Sequence, residues 1–201
     1  MTRLQRLWLA GLVMLLSWPA FADGQIGPAG RAGGVGPGII APEAAGIVLN
    51  GPANSKVSTL RGRVLVVEFW ASWCGPCIES MPRLDALRKE VQAAGYTDQF
   101  EILAVGLDKN LADAKRFLGI HPVSYPVVVD TLGIASLGYG VWRLPATFLV
   151  EPSGQVNQIY HGYGETFGPD LRARVFAMLR GMPKTKAAIK SAQASESAGN
   201  P

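Results

Sequence analysis

The chain has 201 residues, 48% of them apolar and 17% charged, which is enough apolar material for one ordinary core and a cramped length for two. Taking Arg3 and Arg6 from the 19 basic residues leaves 17 against 15 acidic ones, so the formal charge of +4 falls to about +2 if the N-terminus is removed. So weak a bias argues against nucleic acid or an anionic membrane surface as a partner.

Residues 1–22 carry the three parts of a secretory signal: Arg3 and Arg6, the apolar core Leu7 to Leu16, and Ala20-Phe21-Ala22 before Asp23. The core is shorter than the roughly 20 residues of a membrane span. A cleaved leader is therefore expected, with an uncleaved anchor as the alternative; no cysteine follows the core to carry a lipid. Export places the rest of the chain in an oxidising compartment, the periplasm. Asp23 to Gly38 holds seven glycines and two prolines, and residues 23–42 are expected to be a flexible linker. Glycine recurs every third residue from Gly27 to Gly36, but the run is too short to sustain a collagen reading.

The folded domain is expected over residues 43–182. Gly46 to Pro52 and Lys56 to Leu60 read as two short strands of a hairpin, with Asn50-Gly51 as turn chemistry. Val64 to Trp70 is a continuous apolar run rich in β-branched residues, the pattern of a central strand covered on both faces. From Cys77 the period becomes helical, with Ile78, Met81, Leu84, Leu87 and Val91 on one face and Glu79–Arg83 and Asp85–Lys89 as spaced charge pairs. Pro82 predicts a kink there, and Gly95 a stop.

Phe100 to Leu107 is the next strand, Asn110 caps a helix ending at Gly119, and Pro126 to Asp130 is a third strand. A short helix over Leu132 to Leu137, strands over Ala146 to Val150 and Gln155 to His161, and a helix from Pro169 to Gly181 complete the domain. Residues 183–201 read as a disordered tail. Alternating strands and helices argue for an α/β fold, a sheet with helices on both faces.

Cys74 and Cys77 are the only cysteines. A two-residue gap closes too small a loop to be an effective structural staple, whereas after a strand and at the start of a helix it suits a redox dithiol. The attacking species in disulfide exchange is a thiolate, and the unpaired N–H groups and partial positive charge of a helix N-terminus stabilise one. Cys74 is the expected nucleophile and Cys77, one turn further in, the resolving thiol. Pro76 fits the first turn because it lacks an N–H that would go unpaired there. A zinc site would need two more ligands, and His121 and His161 are not paired in sequence, so no metal is expected.

Val66 to Pro82, VVEFWASWCGPCIESMP, resembles the active-site signature of the thioredoxin superfamily, specifically the exported TlpA/ResA-like thiol-disulfide oxidoreductases. Tyr125 to Asp130, Tyr139-Gly140-Val141 and Leu144 to Val150 resemble that family's later blocks in the same order, so the resemblance covers about Gly46 to Leu179. It implies a thioredoxin-like fold, a central mixed sheet flanked by helices, here with an N-terminal β-hairpin extension. It also implies three roles. Pro145 aligns with a cis-proline beside the disulfide, which presents the backbone of Leu144 to an incoming peptide. Trp73, Pro76 and Leu144 form an apolar substrate-binding patch, with plain packing as the other reading of Trp73. Glu68, in an otherwise apolar strand, is a buried carboxylate able to shuttle a proton to or from Cys77, or else a strand-end glutamate reaching solvent.

The expected function is reduction of protein disulfides, in cytochrome c or copper-site maturation, by a monomer that needs no cofactor and draws electrons from a membrane-embedded donor. The Gly-Pro pair between the cysteines is that of reducing thioredoxin. Ala146 departs from the acidic residue that cytochrome c maturation subgroups often carry after the cis-proline, which weakens haem delivery as the specific task. A thiol peroxidase and a copper-delivering protein using both cysteines and His161 are the alternatives from other classes.

Overall fold

The computed structural model describes residues 34–184. The signal sequence, most of the linker and nearly all of the tail expected above lie outside them. A six-stranded sheet runs through the domain in the order β1-β4-β3-β2-β5-β6, comprising β1 (Ile47–Asn50), β2 (Val64–Trp70), β3 (Phe100–Gly106), β4 (Val127–Val129), β5 (Ala146–Val150) and β6 (Val156–His161). β2, β3 and β4 are parallel, while β1, β5 and β6 pair antiparallel to their neighbours. The helices are α1 (Val57–Leu60), α2 (Cys77–Ala93), α3 (Leu111–Ile120), α4 (Ile134–Gly138) and α5 (Phe167–Leu179).

Every residue of β2 and β3 is buried, and the pleat sends alternate side chains to opposite layers. Val64, Val66 and Trp70 meet Met81, Leu84 and Val91 of α2, Phe117 of α3 and Leu171 and Val175 of α5. Leu65, Val67 and Phe69 meet Val57 and Leu60 of α1, Ala135 of α4 and Tyr139 on the other face. Trp70 needs room: a Cβ at Gly106, its partner on β3, would stand 3.2 Å from the indole.

The expected N-terminal hairpin is corrected. Lys56 to Leu60 does not form its second strand: Val57 to Leu60 is a helical turn that buries Val57 and Leu60. Spacing by three puts both on one face of a helix, whereas a strand would send them to opposite faces. β1 pairs instead with β4, Ile47 opposite Val129. The Asn50 amide donates to the Val123 and Tyr125 carbonyls at 3.1 and 2.7 Å, tying β1 to the approach to β4.

The end of the expected linker is also bound. Gly38 N–H donates to the Val156 carbonyl and Ala41 N–H to Gly154, at 2.7 and 2.8 Å, and Ala41 and Ala44 are buried. Helix α2 runs without a break past Pro82. Its buried stripe begins at Cys77 rather than at Ile78, which is 43% exposed, because one residue turns the side chain by about 100°. Helix α5 begins two residues before Pro169, still leaving that proline in the first turn, where its missing N–H costs nothing.

Candidate active site

The sheet's register gathers the candidate site residues at one end. β2 runs into the Ala71–Cys74 turn, closed by Cys74 N–H donating to the Ala71 carbonyl at 3.0 Å, and α2 starts three residues later. Cys74 and Cys77 are joined by a disulfide, Cα atoms 5.4 Å apart. Cys74 retains 5% exposure and Cys77 none. Helix α2 directs its positive end at this turn. Its first N–H groups are not free as expected: those of Cys77, Ile78 and Glu79 donate to the Cys74, Gly75 and Pro76 carbonyls three residues back, at 3.1 to 3.2 Å. Such tight first turns satisfy donors that an α-helical start would leave unpaired. What remains to favour a Cys74 thiolate is the helix dipole.

Trp73 is 71% exposed beside the disulfide, and Pro76 and Gly75 are exposed with it. The Leu144–Pro145 peptide is cis. Ala146 pairs with Phe69, so Pro145 stands at the same end of the sheet as the Cys74 turn, one strand over. The Pro145 carbonyl accepts from Gly162 N–H at 2.7 Å, and Gly162 has φ +80°, a conformation L side chains rarely adopt. Leu144 is half-buried, packed against both core layers, and Trp142 is 68% exposed two residues before it.

Glu68 is fully buried, which rules out the solvent-reaching alternative. Burial pushes its carboxyl up to about 8, against the partial relief of a hydrogen bond from Ser80. Ser80 Oγ lies 2.6 Å from Glu68 Oε1 and 3.4 Å from the Cys77 carbonyl. A hydroxyl has one proton for these two acceptors. When Glu68 is protonated it can donate to Oγ and release the hydroxyl proton to Cys77 O, so the arrangement suits the neutral acid. Glu68 Oε2 has no protein partner, nor has Thr147 Oγ1 on the residue paired with Glu68 across β2 and β5. Tyr125 is buried nearby, its hydroxyl donating to the Met81 carbonyl at 3.2 Å; burial, then the charges of Glu68 and Asp85, raise its pKa.

Two residues the sequence did not single out belong here. Ser80 interrupts the apolar stripe of α2 one turn after Cys77, a polar residue on an inward face that could have marked it. Asp108 follows β3 and binds Ser72 with both carboxylate oxygens: Ser72 N–H donates to Oδ2 at 3.0 Å and Ser72 Oγ to Oδ1 at 2.6 Å. Only the β2–β3 register brings residues 72 and 108 together.

The two histidines sit on different elements. His121 closes α3 against Phe117, and His161 ends β6 against Trp142, ring centroids 4.8 and 5.0 Å apart. Burial, and then the charge of Arg143, lowers the His161 pKa. Among the described residues no group of three or more His, Cys, Asp or Glu side chains is placed to hold a metal ion.

Residues 37–173 match the Redoxin family. The thioredoxin-like protein YneN of Bacillus subtilis is 28% identical over 160 residues, 77% of this chain and 89% of that protein. The thiol-disulfide oxidoreductase ResA of Geobacillus thermodenitrificans is 32% identical over 107 residues, which span 53% of this chain and 59% of ResA. Among solved structures, a candidate thiol:disulfide interchange protein DsbE from Chlorobium tepidum superposes with a TM-score of 0.64 at 32% identity, covering 72% of this chain and 99% of that one.

Proposed function

We infer the function from the family: the chain belongs to the thioredoxin superfamily, as a ResA-like thiol-disulfide oxidoreductase of the Redoxin family. The reading proposed is an exported, monomeric reductase of protein disulfides. The observation that carries it is the Cys74–Cys77 bond at the start of α2, with its less buried sulfur beside an exposed tryptophan.

In the reduced protein the Cys74 thiolate attacks one sulfur of a substrate disulfide. A Cys74–substrate disulfide forms and the first substrate thiolate leaves, taking a proton from solvent. Cys77 then gives its proton to Glu68, and its sulfur attacks Cys74 Sγ. The Cys74–Cys77 bond forms, and the second substrate thiolate leaves and is protonated. The substrate has gained two electrons and two protons. Restoring the dithiol requires an electron donor, and in an oxidising compartment a membrane-embedded one meets that need.

Trp73, Pro76 and Leu144 offer an apolar seat to an unfolded or extended peptide, and the backbone of Leu144 a hydrogen-bonding edge. Trp73→Ala should raise KM for a disulfide-bonded peptide several-fold with little change in kcat; an unchanged KM would return Trp73 to plain surface packing. The leader-like Met1–Ala22 supports export, and apocytochrome c or copper-site cysteines are the proposed substrates.

Direction is decided by the reduction potential. Equilibrating the full chain with glutathione or dithiothreitol should give a value near the roughly −270 mV of thioredoxin. A value above about −150 mV would make the protein an oxidant and overturn the reductase assignment.

A further inference from the structure

We propose that Asp108 is a positioning residue for the nucleophile: its carboxylate fixes the Ser72 turn that carries Trp73 and Cys74, and its charge disfavours the Cys74 thiolate, holding the site on the reducing side. The inference rests on the thiol-disulfide exchange reading above. Its geometry is independent of that reading.

Asp108 is only 5% exposed, and both its oxygens are engaged by one residue, the backbone and hydroxyl of Ser72. The contact follows from the parallel register. Trp70 lies opposite Gly106, and Leu107 N–H donates to the Trp70 carbonyl at 2.9 Å, so two residues further along each chain bring Ser72 to Asp108. Because Cys74 N–H closes back on Ala71, the bidentate grip on Ser72 sits inside the loop whose end is the reactive sulfur. Among the described residues no Lys or Arg forms an ion pair with Asp108. Two neutral donors hold the carboxylate in place without cancelling its charge.

Ser72 lies two residues before Cys74, their Cα atoms at most about 7 Å apart, so the carboxylate gripping Ser72 is held on the same turn as the sulfur. Asp108 and Cys74 are both nearly buried, and a weakly screened negative charge on that turn opposes a second one. A less stable thiolate means a less stable dithiol form, and a dithiol that yields its electrons more readily is the better reductant. The α2 dipole pulls the other way, and the balance between the two sets the thiol. Other ionisable groups at this end of the sheet include Glu68 on β2, Glu79 on α2, Lys109 beside Asp108, Asp130 after β4 with its N–H on the Gly106 carbonyl, Arg143 before the cis-proline and His161 on β6. None of them is altered in the variants below.

The test titrates the reduced full-length protein by thiolate absorbance and measures its potential, comparing the parent with Asp108→Asn, Asp108→Ser and Ser72→Ala. Asn and Ser both remove the charge while keeping a hydrogen-bonding group, and Ser adds no bulk if Asn packs badly. Either uncharged variant that folds should raise the acid dissociation constant of the first thiol about threefold. Measured at a pH where that thiol is ionised, the same factor makes the potential less negative by about 15 mV, at 29.6 mV per tenfold. Ser72→Ala keeps the charge and loses one hydrogen bond, so its thiol should not become more acidic. Asp108→Glu should restore the parent titration. If the uncharged variants lose thermal stability yet titrate like the parent, Asp108 is a loop brace and the proposal fails. Because the titration needs no substrate, it stands whether or not the protein reduces disulfides, and an inactive parent would sink only the functional reading.

Discussion

A Cys77→Ser variant is expected to accumulate covalent adducts with its substrates, and a Cys74→Ser variant to form none. The asymmetry rests on burial: Cys74 retains 5% exposure at the end of the Ser72 turn, while Cys77 has none and is packed with Met81 and Trp70. On that geometry a substrate disulfide should reach only the outer sulfur. With Cys77 as serine, the Cys74 thiolate still attacks, but no thiol stands behind it to break the mixed disulfide. Adducts should then appear on non-reducing gels and vanish with dithiothreitol. With Cys74 as serine the nucleophile is gone, and turnover of a disulfide substrate should fall by roughly 10³-fold or more. Serine at buried position 77 places a hydroxyl in apolar surroundings, at a cost of about 1–3 kcal/mol, so folding is checked by thermal melts on both variants. Adducts on Cys74→Ser in place of Cys77→Ser would reverse the two roles. Identifying the trapped proteins names the substrates.

Most of this site was legible from local pattern, because its chemistry is concentrated in one continuous segment. Val64 to Trp70 declared a doubly covered strand by composition alone, and two cysteines at a strand-to-helix junction declared a dithiol. Pro145 was placed by resemblance to a family block, since nothing in an isolated Leu-Pro pair distinguishes a cis bond. Lys56 to Leu60 misled because four residues carry too little periodicity to separate a strand from a helical turn; the spacing of Val57 and Leu60 was the better guide. Ile78 misled because a helical stripe is known from sequence only to within one residue of rotation, and the disulfide fixes Cys77 inward. Asp108 could not have been found from the sequence. Its partner is 36 positions away, and only the pairing of Trp70 with Gly106 makes them neighbours. Ser80 and Asp85 show why polar residues on a buried face deserve separate notice: each has a specific partner, Glu68 and Ser124 respectively, that accounts for its position.

Glu68→Gln should change two pH profiles in opposite senses. The folded protein holds the Glu68 proton up to about pH 8, while the unfolded chain releases it near 4.5. Between those values the native state binds more protons, so stability falls as pH rises, by at most about 1.4 kcal/mol per pH unit. The loss begins above 4.5 and is complete once pH has passed about 8. Glutamine is close in shape, has no charge to desolvate, and keeps a hydrogen-bonding group for Ser80. The variant should therefore match the parent near pH 4.5 and exceed it at pH 8.5 by roughly 2–5 kcal/mol in denaturant unfolding. Catalysis should move the other way. Resolution of a Cys74 mixed disulfide needs a base for the Cys77 proton, and in the parent its rate should rise toward pH 8 as Glu68 ionises. In Glu68→Gln that rise should flatten and the step slow by on the order of 10²-fold, the usual worth of a positioned acid or base. A residue that merely packs would give the stability gain without the kinetic loss. If the resolving rate and its pH profile are unchanged while stability increases, Glu68 is a buried liability and the proton leaves Cys77 by another route.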